Sequence, residues 1–238
     1  MTLLSMCQNV CDAIAIQRPS TIIGSTNETA RRCLIHIRRT CQDLVRRHTW
    51  SALVREHSIT TANGTASYAL PGDFDRYIDD TAWDATNYWQ MRGSLTPSEW
   101  QWAKRSIVAT ATNRRRFRVK WDASSSARRI FIDPTPTTAD SLVLEYVSKY
   151  FCEDSGGDGQ ADWAADDDVP RLEPELIELG LTYRLLNSLG QPYAEEKQEY
   201  DMRVVRAIGQ DMPARVLDMS GTRMSDIPNL PDGNFGNA

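Results

Sequence analysis

The chain has 238 residues, 25% of them charged, and a formal net charge of −5 at neutral pH. That length suits one large domain or two small ones with a real core, and the even spread of apolar residues argues against wholesale disorder. No apolar run approaches the roughly 20 residues needed to span a bilayer. The N-terminal stretch MTLLSMCQNVCDAIAIQRPS has neither a basic lead-in nor a cleavage site, so it is expected to be the first helix of a soluble protein.

Leu3, Cys7, Val10 and Ile14 recur at helical spacing, and the helix they predict stops before Pro19. Ser25 and Glu28 fit a capping box that opens a second helix. This helix sets Ala30, Cys33, Leu34, Ile37, Cys41, Leu44 and Val45 on one face and arginines on the other. The pattern then turns to strands. Residues 58–61 are β-prone, Asn63-Gly64 signals a tight turn, and Tyr68-Ala69-Leu70 reads as the returning strand. Residues 76–84 form another expected strand, and Thr96-Pro97-Ser98-Glu99 opens a helix expected over about 97–108.

Phe117, Val119 and Trp121 alternate with Arg118 and Lys120 as in a half-buried strand; residues 122–127 turn, and 130–133 return. Residues 142–147 give a further strand. The acidic, glycine-containing stretch 153–168 reads as a flexible excursion. A helix resumes near Glu173-Pro174, with Leu176, Ile177, Leu179, Leu181, Tyr183, Leu185 and Leu186 apolar almost all round it. After Gly190-Gln191-Pro192 a last helix, about 193–209, turns Tyr193, Tyr200, Val204 and Ile208 inward and allows a Glu199–Arg203 pair.

The expected fold class is therefore α+β. A helical bundle of residues 1–52 and 170–211 receives a mainly antiparallel, β-rich insertion with a short helix at 53–152 and an acidic loop at 153–169. Residues 212–238 lose periodicity, with Val216, Leu217, Met219, Met224, Ile227, Leu230 and Phe235 isolated among glycines and prolines. Such a tail is either disordered or an arm that orders on a partner.

The five cysteines, Cys7, Cys11, Cys33, Cys41 and Cys152, are odd in number and fall mostly on apolar helix stripes, which suits reduced, buried thiols. Charge is segregated. Arg31, Arg32, Arg38, Arg39, Arg46, Arg47 and Arg55 make one basic run, and a second joins Arg114, Arg115, Arg116, Arg118, Lys120, Arg128 and Arg129. The acidic counterpart includes Asp162, Asp166, Asp167 and Asp168. A basic face with Arg31, Arg38 and Arg39 meeting Asp166, Asp167 and Asp168 of the next copy is one reading; a solvated surface with self-cancelling charges is the other.

Catalytic signatures are missing: there is no nucleophile elbow, Walker loop, dinucleotide fingerprint or zinc-protease helix. The Cys/His spacings lack the paired knuckles of a zinc site, and three consecutive aspartates lack the alternation of a calcium loop. No metal, no cofactor and no enzymatic activity are expected. Basic residues around Phe117 and Trp121 leave open a stand-alone nucleic-acid-binding protein, and carboxylate pairs leave open a polysaccharide-acting tail hydrolase. Trp100 and Trp102 lie two apart on one helix, so one of them is expected to serve a partner surface.

Several stretches carry a resemblance. They are Ala30-Arg31-Arg32, His48-Thr49-Trp50, Tyr68-Ala69-Leu70-Pro71 with Asp73-Phe74-Asp75, and Leu95-Thr96-Pro97 with Glu99-Trp100. Further along come Arg116-Phe117-Arg118, Ile132 with Pro134-Thr135-Pro136, Leu144-Glu145-Tyr146-Val147-Ser148, and Leu179-Gly180-Leu181 with Arg184. In this order the sequence resembles the phage head-to-tail adaptor family, similar to the tail tubular protein A group of short-tailed phages. The resemblance implies a virion protein at the head-tail junction, assembled in the bacterial host cytoplasm as a ring of about twelve copies. Its implied partners are the portal protein, the tail nozzle or tail tube, further copies of itself, and double-stranded DNA passing nonspecifically through the channel. It implies no membrane anchor, and it makes the tail after Met212, with its isolated apolar residues, the portal-binding arm.

Overall fold

The computed structural model describes residues 1–105 and 114–211. Among these the chain divides into two compact units, one of Met1–Val54 with the residues from Ser148 onward, the other of Arg55–Val147. The architecture is α+β: helices with a small three-stranded antiparallel sheet in the first unit, and largely antiparallel sheets with one helix in the second.

The first unit is built on α1 (Leu3–Ala13), α2 (Glu28–Arg47), α4 (Pro174–Ser188) and α5 (Ala194–Asp211), α3 lying in the other unit. Thr2 caps α1: its hydroxyl accepts from the Ser5 N–H while the Ser5 side chain reaches back, satisfying donors that a helix start leaves free. The α2 cap corrects the sequence reading. Asn27, not Ser25, accepts the Thr29 N–H, and the Ser25 hydroxyl instead accepts from the Asn27 N–H. Asx side chains fit this position well, and the acidic residue of the expected box, Glu28, is already the first helical residue.

Ala30, Cys33, Ile37, Thr40, Cys41, Leu44 and Val45 form the buried face of α2. α4 buries Leu176, Ile177, Gly180, Leu181, Leu185 and Leu186 and packs against α1, α2 and α5, which is why its apolar residues run almost all round. Gly180 marks a close approach, because a Cβ there would lie 3.0 Å from Tyr200 Cε2 and overlap the Thr40 methyl. α5 buries Tyr200, Val204 and Ala207. The expected Glu199–Arg203 pair does not form; the Arg203 guanidinium lies 2.5 Å from Glu175 of α4, since packing brings that carboxylate closer than the intrahelical neighbour. Between β8 and α4, β9 (Cys152–Glu153) pairs with β10 (Gly159–Gln160) and β11 (Val169–Pro170), so the acidic stretch is folded rather than a free excursion.

In the second unit β1 (Val54–Thr60), β8 (Ser141–Ser148), β4 (Trp83–Asp84) and β5 (Trp89–Gln90) are adjacent in that order, with β3 (Phe74–Tyr77) also on β8. A second sheet has the order β2 (Ser67–Ala69), β7 (Ala127–Asp133), β6 (Arg116–Asp122). Ile59, Phe117, Ile130, Ile132, Leu142, Leu144 and Tyr146 form their shared core. The turn at Asn63-Gly64 exists, with Gly64 at φ +77, but the strands flanking it do not form a hairpin. Thr61 donates to the Asp140 carbonyl and Gly64 to the Pro136 carbonyl, and this tie sends β1 to one sheet and β2 to the other. The strand expected over 76–84 is two strands broken at Asp80, which takes φ +63. Trp121, expected to face inward with Phe117, is 63% exposed because it sits one residue from the end of the β6–β7 hairpin, beyond the edge of the core.

The helix α3 (Pro97–Arg105) carries the expected box: Thr96 accepts the Glu99 N–H and Glu99 accepts the Thr96 N–H. Residues 106–108 of the helix expected there lie outside the described residues, as do the tail positions Val216, Leu217, Met219, Met224, Ile227, Leu230 and Phe235.

Candidate assembly surfaces

With the apolar face of α2 committed to the core, its opposite face presents Arg31, Ile35, Arg39, Gln42 and Arg46 to solvent. Arg31, Arg39 and Arg46 have no hydrogen-bond or ion-pair partner among the described residues. The flanking cations are spent within the chain. Arg32 pairs with Glu28, Arg38 with Asp162 at 2.7 Å, and Arg47 with Asp43 and Asp201 at 3.0 and 3.1 Å. Burial, then the nearby Arg39 charge, pushes the His36 pKa below its usual value, so His36 adds no positive charge to this face near neutrality.

The acidic residues singled out in the sequence serve a different geometry. The Asp166 carboxylate accepts the Ile22 and Ile23 N–H groups, at 3.0 and 2.8 Å. Asp168 is fully buried and accepts the Ala164 and Ala165 N–H groups. Their carbonyls accept the Leu3 and Leu4 N–H groups at the start of α1, so this loop supplies what that helix end lacks. Asp167 alone of the three is exposed and without a partner among the described residues. The structure thus brings Arg38 to the loop through Asp162, and leaves Arg31 and Arg39 outward.

In the second unit most of the second basic cluster is engaged within the chain. Arg115 bridges Asp84 and Asp140, all three nearly buried, and Arg116 pairs with Asp133 at 3.3 Å. Arg128 donates to the Asp75 carbonyl and Arg129 to that of Ser67, while Arg114 lies over the Trp89 ring at 5.2 Å. The large hydrophobics this unit exposes among its described residues, Tyr88, Trp102 and Trp121, are all aromatic. Trp102 is 64% exposed while Trp100, two residues away, is buried with Leu95 and Ala103. A cleft of about 550 Å³ runs beside Trp102, lined also by Met91, Arg92, Leu95, Arg114 and Arg116.

Arrangements with possible chemistry are few. His48 Nε2 lies 3.1 Å from Asp211 Oδ2, and the Ser51 hydroxyl and N–H also bond Asp211. Asp211 sits between the two, so the serine is not hydrogen-bonded to the imidazole and the order needed for a nucleophilic relay is absent from this trio. The cysteines are free and buried; Cys11 and Cys33 Sγ lie 3.8 Å apart, and burial pushes the Cys152 thiol up to about 12, with Asp168 adding to it. No group of three or more potential ligand side chains assembles among the described residues, and no described helix is long and apolar enough to cross a membrane.

The sequence missed the outward face of α5. Met202 and Val205 are 59% and 70% exposed there, with Glu195, Gln198 and Glu199 beside them. Their spacing, out of phase with Tyr200 and Val204, was a readable signal.

The described residues of this α+β molecule expose a cationic face on α2, the neighbouring apolar side chains Met202 and Val205 on α5, and surface tryptophans, features frequent where proteins meet. The model of the SU10 adaptor protein family matches residues 1–225, and the chain belongs to that family. It is a family of phage head-tail adaptors, which implies a structural role in contact with other virion components such as portal and tail. No curated protein matches the chain.

Proposed function

We propose that the chain is a structural virion protein that forms an adaptor ring between the portal and the tail tube or nozzle, with the ring lumen forming part of the DNA channel. The observation that carries this reading is the family match across residues 1–225. The ring is homo-oligomeric, of about twelve copies as the family resemblance implies, and repeated contact of one surface against another is what closes such a ring. The first unit makes the contacts between copies. Arg31 and Arg39 on α2 face a neighbouring copy, and Asp167 is the member of the aspartate trio free to answer them; Arg38, Asp166 and Asp168 support that surface from within. The second unit, with its exposed Trp102 and Trp121, meets the tail. The arm after Met212, including Val216, Leu217, Met219, Met224, Ile227, Leu230 and Phe235, grips the portal.

The test is light scattering coupled to size-exclusion chromatography, on the chain alone and mixed with the portal of the same genome. A shift into a large portal-bound species supports the adaptor, and a chain truncated after Met212 that stays folded but fails to shift supports the arm. A full chain that stays apart from a competent portal overturns the portal contact. Stand-alone nucleic-acid binding is less favoured, because Arg115, Arg116, Arg128 and Arg129 are already engaged within the chain.

A further inference from the structure

Two unpartnered helix faces in the first unit are complementary. On α2, Ile35 is 47% exposed and stands among Arg31, Arg39 and Arg46, none of which has a partner among the described residues. On α5, Met202 and Val205 are 59% and 70% exposed, and Glu195 and Glu199 are likewise without partners. Glu199 is free because Arg203 is held by Glu175. Each face lies about 180° round its helix from the buried one, taking 100° per residue from the 3.6-residue turn.

We infer that the outward face of α2 docks on the outward face of α5 in a second copy of this chain, antiparallel. This rests on the ring reading above and names the surfaces that close the ring. The spacing agrees. Ile35 to Arg46 spans about 16 Å of helix and Val205 to Glu195 about 15 Å, at ~1.5 Å per residue. With Ile35 set against Met202 and Val205, Arg39 and Arg46 run alongside Glu199 and Glu195, and Arg206 lies at the Glu28–Arg31 end. The antiparallel arrangement sets one like pair, Arg31 and Arg206, against two opposite pairs, whereas a parallel one keeps only Arg31 with Glu199 and sets Arg39 against Arg206 and Glu28 toward Glu195. Because the two faces differ, each copy offers α2 to one neighbour and α5 to the other, which is the head-to-tail geometry a ring needs. The acidic partner of the α2 arginines is then chiefly α5, with Asp167 secondary.

The experiment is disulfide trapping in the assembled particle. Full-length chain carrying Ile35→Cys and Val205→Cys, incorporated and then oxidised, is expected to give a reducible ladder of multimers on non-reducing gels, with neither single variant doing so. Charge reversal gives an independent arm. Arg39→Glu with Arg46→Glu, or Glu195→Arg with Glu199→Arg, should lower incorporation about tenfold or more, and all four together should restore it. A chain present in particles that yields no ladder, and whose charge reversals do not compensate, overturns the α2–α5 contact and leaves the adaptor reading intact. A chain absent from particles overturns the adaptor reading, and the contact falls with it. If a thiol introduced at 205 is shielded in the isolated chain and released by truncation after Met212, the face belongs to the chain's own tail and the inference fails.

Discussion

Replacing Gly180 with alanine tests the packing that sets the bundle. At this point α4 passes so close to α2 and α5 that an added Cβ would overlap Thr40 Cγ2 and lie 3.0 Å from Tyr200 Cε2 and 3.3 Å from Thr40 Oγ1. Relaxed carbon contacts are ~3.5–4.0 Å, so something must move. Tyr200 is fully buried, and Thr40 is held by the bond from its hydroxyl to the His36 carbonyl at 2.9 Å. Rotating Thr40 away forfeits a hydrogen bond worth about 1 kcal/mol, and overpacking a filled core costs ~1–3 kcal/mol. Against this, alanine in a helix interior gains ~1 kcal/mol over glycine. The balance is destabilisation by roughly 1–3 kcal/mol, which lowers Tm by about 3–8 °C in a chain of this size. Thr40→Ser keeps the hydroxyl and removes the methyl, so the double variant should recover most of the loss. A thermal melt followed by far-ultraviolet circular dichroism, which the helices dominate, reads all four proteins. A Gly180→Ala chain that melts at or above the wild type, or a Thr40→Ser change that gives no relief, refutes the packing argument.

Two more outcomes follow from buried charge. Arg115→Met leaves Asp84 and Asp140 facing each other without their shared cation, and should destabilise the second unit by ~3–5 kcal/mol in urea denaturation; adding Asp140→Asn should return part of it, and an additive loss would contradict the pairing. Burial raises the Asp211 pKa, but hydrogen bonds from Ser51 and His48 outweigh it and hold the carboxyl below the usual range. A depressed folded pKa stabilises above the unfolded value, near ~4, and the benefit disappears as pH falls through the folded value. Asp211→Asn should therefore lower stability at neutral pH by ~1–3 kcal/mol, with the gap to wild type closing below about pH 4; a gap unchanged in acid would show that the charge is not what matters.

Local periodicity was enough to place the helices and the span of β6, though not the outward turn of Trp121, because a buried stripe leaves a 3.6- or 2-residue rhythm that neighbours in sequence alone must satisfy. The α+β class, the buried cysteines and the opposite burial of Trp100 and Trp102 were legible for that reason. What tertiary structure decided were the choices between competing partners. Asn27 displaced Ser25 as cap, Glu175 took Arg203 from Glu199, and Asp140 and Pro136 drew the 61–64 turn away from a hairpin. The aspartates 166 and 168 turned inward because the N–H groups of Ile22, Ile23, Ala164 and Ala165 had no other acceptor, and a buried donor without one is costly. Sequence by itself supplies the charges and their rhythm; which charges remain free to meet another molecule depends on distances between segments far apart in the chain, and those exist only once it has folded.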